Sequence, residues 1–262
     1  MISIQSVIDT IFAAIPGSFT TDTVDTIKVG DPGQPVTGIV TTFLASQAVL
    51  KKAVELGANF VITHEPTFYN HLDNVEWLAD DPVYLEKRKF IEENHLVLWR
   101  FHDNLHANRP DPTLAGISQA LGWEGYADQE NPSLFHLLPI VLKELIPTVK
   151  NRLGIRTLQV IGNPEITCRK AGILVGAWGG TNQMLMWKNT DLDVLIVGET
   201  PEWETVEYAR DAMIQGRNKA LIVTGHANSE EPGMRWLVDW LRPKFSGVPI
   251  QHVPVGDPFL FV

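Results

Sequence analysis

The chain has 262 residues, 44% of them hydrophobic, enough to bury the core of one large domain or two modest ones, and two is the expectation. Its formal charge of −10 argues against a surface that coats nucleic acid, because duplex binding depends on neutralising phosphates with Lys and Arg. Cys168 is the single cysteine, which excludes a disulfide framework; the first basic residue is Lys28, unlike a signal or transit peptide, and no apolar run approaches the roughly 20 residues that span a bilayer, so a cytoplasmic protein is expected.

In chain order, residues 3–15 carry Ile4, Val7, Ile8, Ile11 and Phe12 at helical spacing, and Pro16-Gly17 stops them. The β-branched run 36–42 reads as a strand, 46–56 as a helix closed by Gly57 just past its end, and 59–62 as a second strand. Strand, helix and strand make a parallel crossover unit. A charged amphipathic helix over 84–94 feeds a strand at 96–99, and a short helix over 114–121 stops at Gly122. The polar stretch 126–139, with Asp128-Gln129-Glu130-Asn131-Pro132 at its centre, is read as a domain boundary. Beyond it the pattern predicts a helix over 139–153, strands at 158–161 and 170–175, a helix over 182–188, a strand at 193–197, a helix over 202–214 and a strand at 220–223. That alternation supports an α/β fold.

Three of the predicted strands end in side chains that bind metals. His64-Glu65 follows the run 59–62, His102-Asp103-Asn104-Leu105-His106 follows 96–99, and Gly225-His226-Ala227-Asn228-Ser229-Glu230 follows 220–223. Ligands in open α/β sheets bind beyond such strand ends. Imidazole and carboxylate together suit zinc, iron or manganese, and five or six such groups exceed what one tetrahedral zinc needs, so two divalent ions are expected. In the third cluster Pro232 is expected in the first turn of the helix formed by Met234, Trp236, Leu237 and Leu241, with Glu230 at or just before that turn. Glu199, after the strand at 193–197, is either an acid at the rim of the metal site or a helix-initiating carboxylate. Gly176-Ala177-Trp178-Gly179-Gly180 lacks the spacing of a phosphate-cradling loop and reads as a tight turn needing positive φ. His71, His95, His136 and His252 are assigned solvated or capping roles, although His71 shares a loop with His64 and could line the same cavity. Trp236 and Trp240 read as core or subunit contacts, and Phe259 and Phe261 as buried.

These motifs give the chain a resemblance to the NGG-one-interacting factor three family, also described as GTP cyclohydrolase type 2 homologues with a dinuclear metal centre. The family's patterns match Thr63-His64-Glu65-Pro66, Phe101-His102-Asp103-Asn104-Leu105-His106, Val197-Gly198-Glu199 and Gly225-His226-Ala227-Asn228-Ser229-Glu230, so the match covers nearly the whole chain. The resemblance implies metal ligands at His64, Glu65, His106, His226 and Glu230, with His102 a nearby site histidine. Two positions depart from type: the family's second His is Glu65 here and its Asp is His106, a paired exchange that preserves three imidazoles and two carboxylates. Asp103 is the alternative to His106 if the loop shifts by one turn. The resemblance also implies two interlocked α/β domains with mixed sheets flanked by helices, one built from 1–125 and 224–262 and the other from 126–223. The metals are expected in the cleft between those domains and the chain in a ring-shaped homohexamer.

Two divalent ions suit hydrolysis of a phosphoester, amide or purine ring carbon, so a hydrolase acting on a small molecule, a nucleotide or phosphoester, is expected. Glu230 is the expected bridging carboxylate, with His102 or Glu199 moving the proton. The competing class is a non-catalytic metal-binding or metal-delivery scaffold that interacts with protein partners.

Overall fold

The computed structural model describes residues 2–16 and 22–262. In chain order its elements are α1 (Ile4–Ala13), β1 (Ile27–Val29), β2 (Ile39–Thr42), α2 (Gln47–Glu55), β3 (Phe60–Thr63), α3 (Pro82–Glu93), β4 (Val97–Arg100), α4 (Asp103–Ala107), α5 (Pro112–Leu121), β5 (Leu134–Val141), α6 (Leu142–Leu153), β6 (Gln159–Ile161), β7 (Thr167–Leu174), α7 (Gly180–Thr190), β8 (Val194–Val197), α8 (Glu207–Ile214), β9 (Ala220–Val223), α9 (His226–Leu241) and β10 (Ile250–His252). The chain divides into two compact units, residues 1–112 with 234–262, and residues 113–233. The second unit is wider than the expected 126–223: it also takes in α5 and the residues after β9 that begin α9.

Every residue of β2, β3 and β4 is buried, the pattern of parallel strands covered on both faces. The first unit's sheet runs β1-β4-β3-β2-β10, with β10, β2, β3 and β4 parallel and β1 antiparallel at one edge. Alternate side chains serve opposite faces. Ile39, Phe60, Ile62, Val97 and Trp99 pack with α1 and with Met234, Leu237 and Leu241 of α9, while Val40, Val61 and Leu98 pack with Val49, Leu50 and Ala53 of α2 and Tyr84 and Ile91 of α3. The second unit repeats the plan. Its sheet runs β5-β7-β8-β9-β6 with β7, β8 and β9 parallel and both edge strands antiparallel. Ile173, Val194, Ile196 and Ile222 face α5 and α6, and Leu195, Val197 and Leu221 face α7 and α8.

Local signals explain the element ends. Ser3 caps α1 and Ser46 caps α2, each accepting a hydrogen bond from an amide of the first turn, and Gly57 and Gly122 follow α2 and α5 at positive φ as helix-stopping residues do. The Pro16-Gly17 stop reaches outside the described residues at Gly17, and α1 has already ended at Ala13.

Several expectations need correction. Within the polar stretch and just beyond it, β5 occupies 134–141, a strand not expected there, and the helix expected from 139 begins at Leu142. Pro139 is accommodated there because β5 is an edge strand whose register shifts between His136 and Ile140. The helix over 202–214 opens with a π-helical segment, Glu202–Val206, before α8. Pro232 lies inside α9 rather than in its first turn, so the ring removes the amide that would serve the Asn228 carbonyl. Phe259 and Phe261 are exposed, at 69% and 50%, in a terminal segment outside any helix or strand.

Candidate metal centre

In the first unit, β3 ends at Thr63 and turns sharply. The Thr63 hydroxyl donates to the Glu65 carbonyl, and the amides of His64 and Glu65 both donate to the Phe43 carbonyl, which fixes the turn against the neighbouring strand end. His64 is thereby fully buried. β4 ends beside it at Arg100, and α4 begins three residues on, at Asp103. The buried Asp25 carboxylate accepts from the backbone amides of His102 (2.6 Å), Asp103 (2.9 Å) and Asn104 (2.8 Å), satisfying the helix-start donors that have no partner within the helix. His102, just before this short helix, and His106, on it, bring their rings against that of His64.

The three rings form a tight triangle. His64 and His102 stack with centroids 4.6 Å apart, and His106 meets each edge-on at 5.0 Å. One ring nitrogen from each lies within 4.8 Å of the other two, so this cluster, buried at His64 and half-buried at His102 and His106, could hold a metal ion. Nδ1 of each ring faces an oxygen: in His64 the Phe101 carbonyl at 3.3 Å, in His102 the Asp103 carboxylate at 2.9 Å, and in His106 the Asp111 carboxylate at 2.9 Å. A metal-binding imidazole is oriented, and its basicity raised, by such a bond from its second nitrogen. The donor set therefore fits a divalent ion of the zinc, iron or manganese kind.

Charge around the cluster is organised by Arg100, whose fully buried guanidinium is stabilised by the hydrogen bonds that a buried charge requires. Its Nε donates to the His64 carbonyl, Nη1 to the His71 carbonyl, and Nη2 to Glu65 Oε2 at 3.3 Å. One side chain thus ties down both ends of the 64–71 loop. Glu65 Oε1 lies 3.7 Å from His102 Nε2. Burial, then the neighbouring His64 and His106 rings, push the His102 pKa below its ordinary value against the opposing pull of Asp103 and Glu65. Burial alone would raise the Asp103 pKa, but hydrogen bonds from His102, the Thr23 hydroxyl and the Val24 amide prevail and hold it at about 2. Asp103 is therefore the ionised partner of His102. His71, exposed, has its ring 6.0 Å from that of His102.

In the second unit, His226 is the first residue of α9, and Glu230 sits one turn later on the same face. His226 Nε2 lies 3.0 Å from Glu230 Oε2, and His226 Nδ1 lies 3.5 Å from Glu199 Oε1. Glu230 is 3% exposed, whereas the Glu199 side chain is largely in solvent. Two glycines make this possible. A Cβ on Gly176 would collide with Glu230 Oε1, and one on Gly198 with Ser229 Oγ and the Gly176 backbone. The Ser229 hydroxyl accepts from the Gly176 amide and donates to the His226 carbonyl, joining the β7 end to the start of α9. Gly176 and Gly179 have φ of 67° and 75°, as the tight-turn reading of 176–180 requires.

The remaining histidines are elsewhere. His136 pairs with Asp128 at the surface, His95 occupies a left-handed turn, and His252 directs Nδ1 at the Thr41 carbonyl. The sequence reading missed Asp25, Arg100 and Asp111, and took Gly176 for a turn residue alone. Only Asp111, five residues after His106 in a loop before Pro112, carried a visible hint.

Two mixed α/β sheets, with imidazole and carboxylate groups gathered just beyond their parallel strands, define a metal-competent α/β protein. The pattern of the Duf34/NIF3 (NGG1p interacting factor 3) family matches residues 5–256, and the chain belongs to that family. Relatives named GTP cyclohydrolase 1 type 2 homolog include one from Pseudomonas aeruginosa, 29% identical over 238 residues with 86% of each chain covered. Another, from Escherichia coli K12, is 29% identical over 232 residues, covering 86% of this chain and 87% of its own. Among solved structures, a Bacillus cereus protein related to NIF3 aligns over 100% of this chain and 99% of its own, with a TM-score of 0.79 at 17% identity. A Staphylococcus aureus hypothetical protein aligns over 99% of both chains with a TM-score of 0.78, also at 17% identity. At such identities these structures speak for the fold. Among the described residues, no helix is long and apolar enough to cross a membrane.

Proposed function

We propose that the protein is a metal-dependent hydrolase of a small nucleotide or other phosphoester, binding two divalent ions per chain. The observation that carries this reading is the His64–His102–His106 triangle, in which Nδ1 of every ring meets an oxygen. An oxygen acceptor on a ring nitrogen is the usual companion of a metal-binding imidazole. The relatives' cyclohydrolase names point the same way. His64, Glu65 and His106 from the first unit, with His226 and Glu230 from the second, are the proposed ligands, and Asp103 supports His102. A divalent ion supplies Lewis acidity for attack by water and stabilises the negative charge that develops.

The chain's own residues do the rest. Arg100 and Asp25 hold the ligand-bearing backbone in place before substrate arrives, so that little reorganisation is needed at reaction. His102 or the exposed Glu199, close to His226 Nδ1, moves the proton. We further propose a homo-oligomer of the ring-shaped hexameric kind, read by light scattering.

The test is elemental analysis of protein purified without chelators, coupled to a turnover screen over nucleotides and phosphoesters. Two ions per chain and chelator-sensitive turnover are expected. Tight metal binding with no turnover, and exchange of that metal with a protein partner, would transfer the protein to the metal-delivery class.

A further inference from the structure

We infer that His102 is itself a metal ligand, so that His64, His102 and His106 form a three-imidazole site complete within the first unit. This rests on the metal-binding part of the proposed function and changes the role of one residue in it.

The first argument is symmetry. A histidine that only relays protons should stand apart from the ligands, yet the three centroid separations are 4.6, 5.0 and 5.0 Å, and His102 is no more peripheral than the other two. The second is bracing. His102 Nδ1 meets Asp103 at the same 2.9 Å at which His106 Nδ1 meets Asp111, and Asp103 is itself held by Thr23 and the Val24 amide. That is the carboxylate–histidine arrangement that accompanies a bound metal. The third is rigidity. The His102 amide donates to Asp25 at 2.6 Å, and the same carboxylate accepts from the next two amides, so the ring is carried by a clamped backbone. The fourth concerns the competing ligand. Glu65 Oε2 is engaged by Arg100 at 3.3 Å, which occupies one oxygen of that carboxylate.

Three neutral imidazoles with a further coordination position left open are the donor set of catalytic zinc, and of cobalt(II) in its place. Such a set prefers borderline ions, whereas carboxylate-rich sites favour magnesium, calcium or manganese. The inferred site should therefore discriminate strongly against magnesium.

The experiment uses full-length metal-free protein titrated with cobalt(II), read by visible absorption, and with zinc in competition with a chromophoric chelator. The double variant H226A/E230A is expected to retain one cobalt ion with an intense visible band, unmoved by excess magnesium. Adding His102→Ala should abolish that band and weaken zinc binding by more than the roughly 10–100-fold that loss of an outer partner costs. If the double variant does not fold, His102→Ala in the otherwise unaltered chain should lower cobalt stoichiometry from two to one. An unchanged band and affinity after His102→Ala would overturn the ligand role and leave the hydrolase proposal standing. Loss of the ion with no turnover in any variant would sink the hydrolase and leave this site intact.

Discussion

Asp111 Oδ2 lies 2.9 Å from His106 Nδ1, so a carboxylate just before α5 holds the ring of a candidate ligand in one tautomer and one orientation. If the protein binds metal through His106, losing that brace should cost affinity without removing a donor. Asp111→Ala is expected to weaken zinc binding about 10–100-fold, with Asp111→Asn closer to the parent because its amide oxygen can still accept the imidazole proton. Chelator competition measures this. Equal affinity in all three proteins would show that the contact is a surface pairing.

His106 and Asp103 were rival readings of one motif, and the geometry gives them different work. His106 contributes a ring nitrogen to the triangle, while both Asp103 oxygens already accept hydrogen bonds from His102, Thr23 and Val24. His106→Ala should therefore lower metal content more than Asp103→Ala, by elemental analysis of the two variants prepared in parallel. The reverse order would place Asp103 on the metal.

Most of this architecture was legible because the signals were local. The buried four-residue strands, the serine caps of α1 and α2 and the glycine after α2 all lie within a few residues of the element they define. The parts that escaped depend on distant partners. Asp25 reaches amides 77 to 79 residues away and Arg100 reaches back to His64 and His71, so neither role has a sequence spacing to betray it. β5 was hidden by Pro139, which is compatible with a strand only because that strand is an edge with shifted register. Pro232 points to a helix opening that puts His226 on a loop and Glu230 at or just before the first turn, whereas α9 begins at His226 and the two share a helical face.

His252 links stability to pH away from the metal centre. Burial, then repulsion from Arg235, lower its pKa to about 4, although the Thr41 carbonyl opposes the shift. The unfolded chain takes up the proton near pH 6.5 and the folded chain only near 4, so stability is full above pH 6.5 and declines as pH falls toward 4. The loss attributable to this group is at most about 3 kcal/mol. Urea midpoints at pH 7 and pH 4.5 should differ less for His252→Gln than for the parent. Identical pH dependence would show that other groups govern acid stability.

The last prediction concerns chemistry. Glu230 is 3% exposed, 3.0 Å from His226 Nε2, and seated where Gly176 has no side chain to displace it. Glu230→Gln keeps the shape of the side chain and removes its charge, so it separates electrostatics from packing. Under the hydrolase proposal it should lower metal-dependent turnover by at least the roughly hundredfold that removing one electrostatic stabiliser costs. Glu199→Gln, lacking a buried role, should act on the pH profile of turnover more than on metal content. Each variant is to be assayed after reloading with zinc, with bound metal measured in the same sample. Turnover that survives Glu230→Gln at full metal occupancy would remove Glu230 from the reaction, whereas turnover that falls only in proportion to metal content would make it a ligand and nothing more.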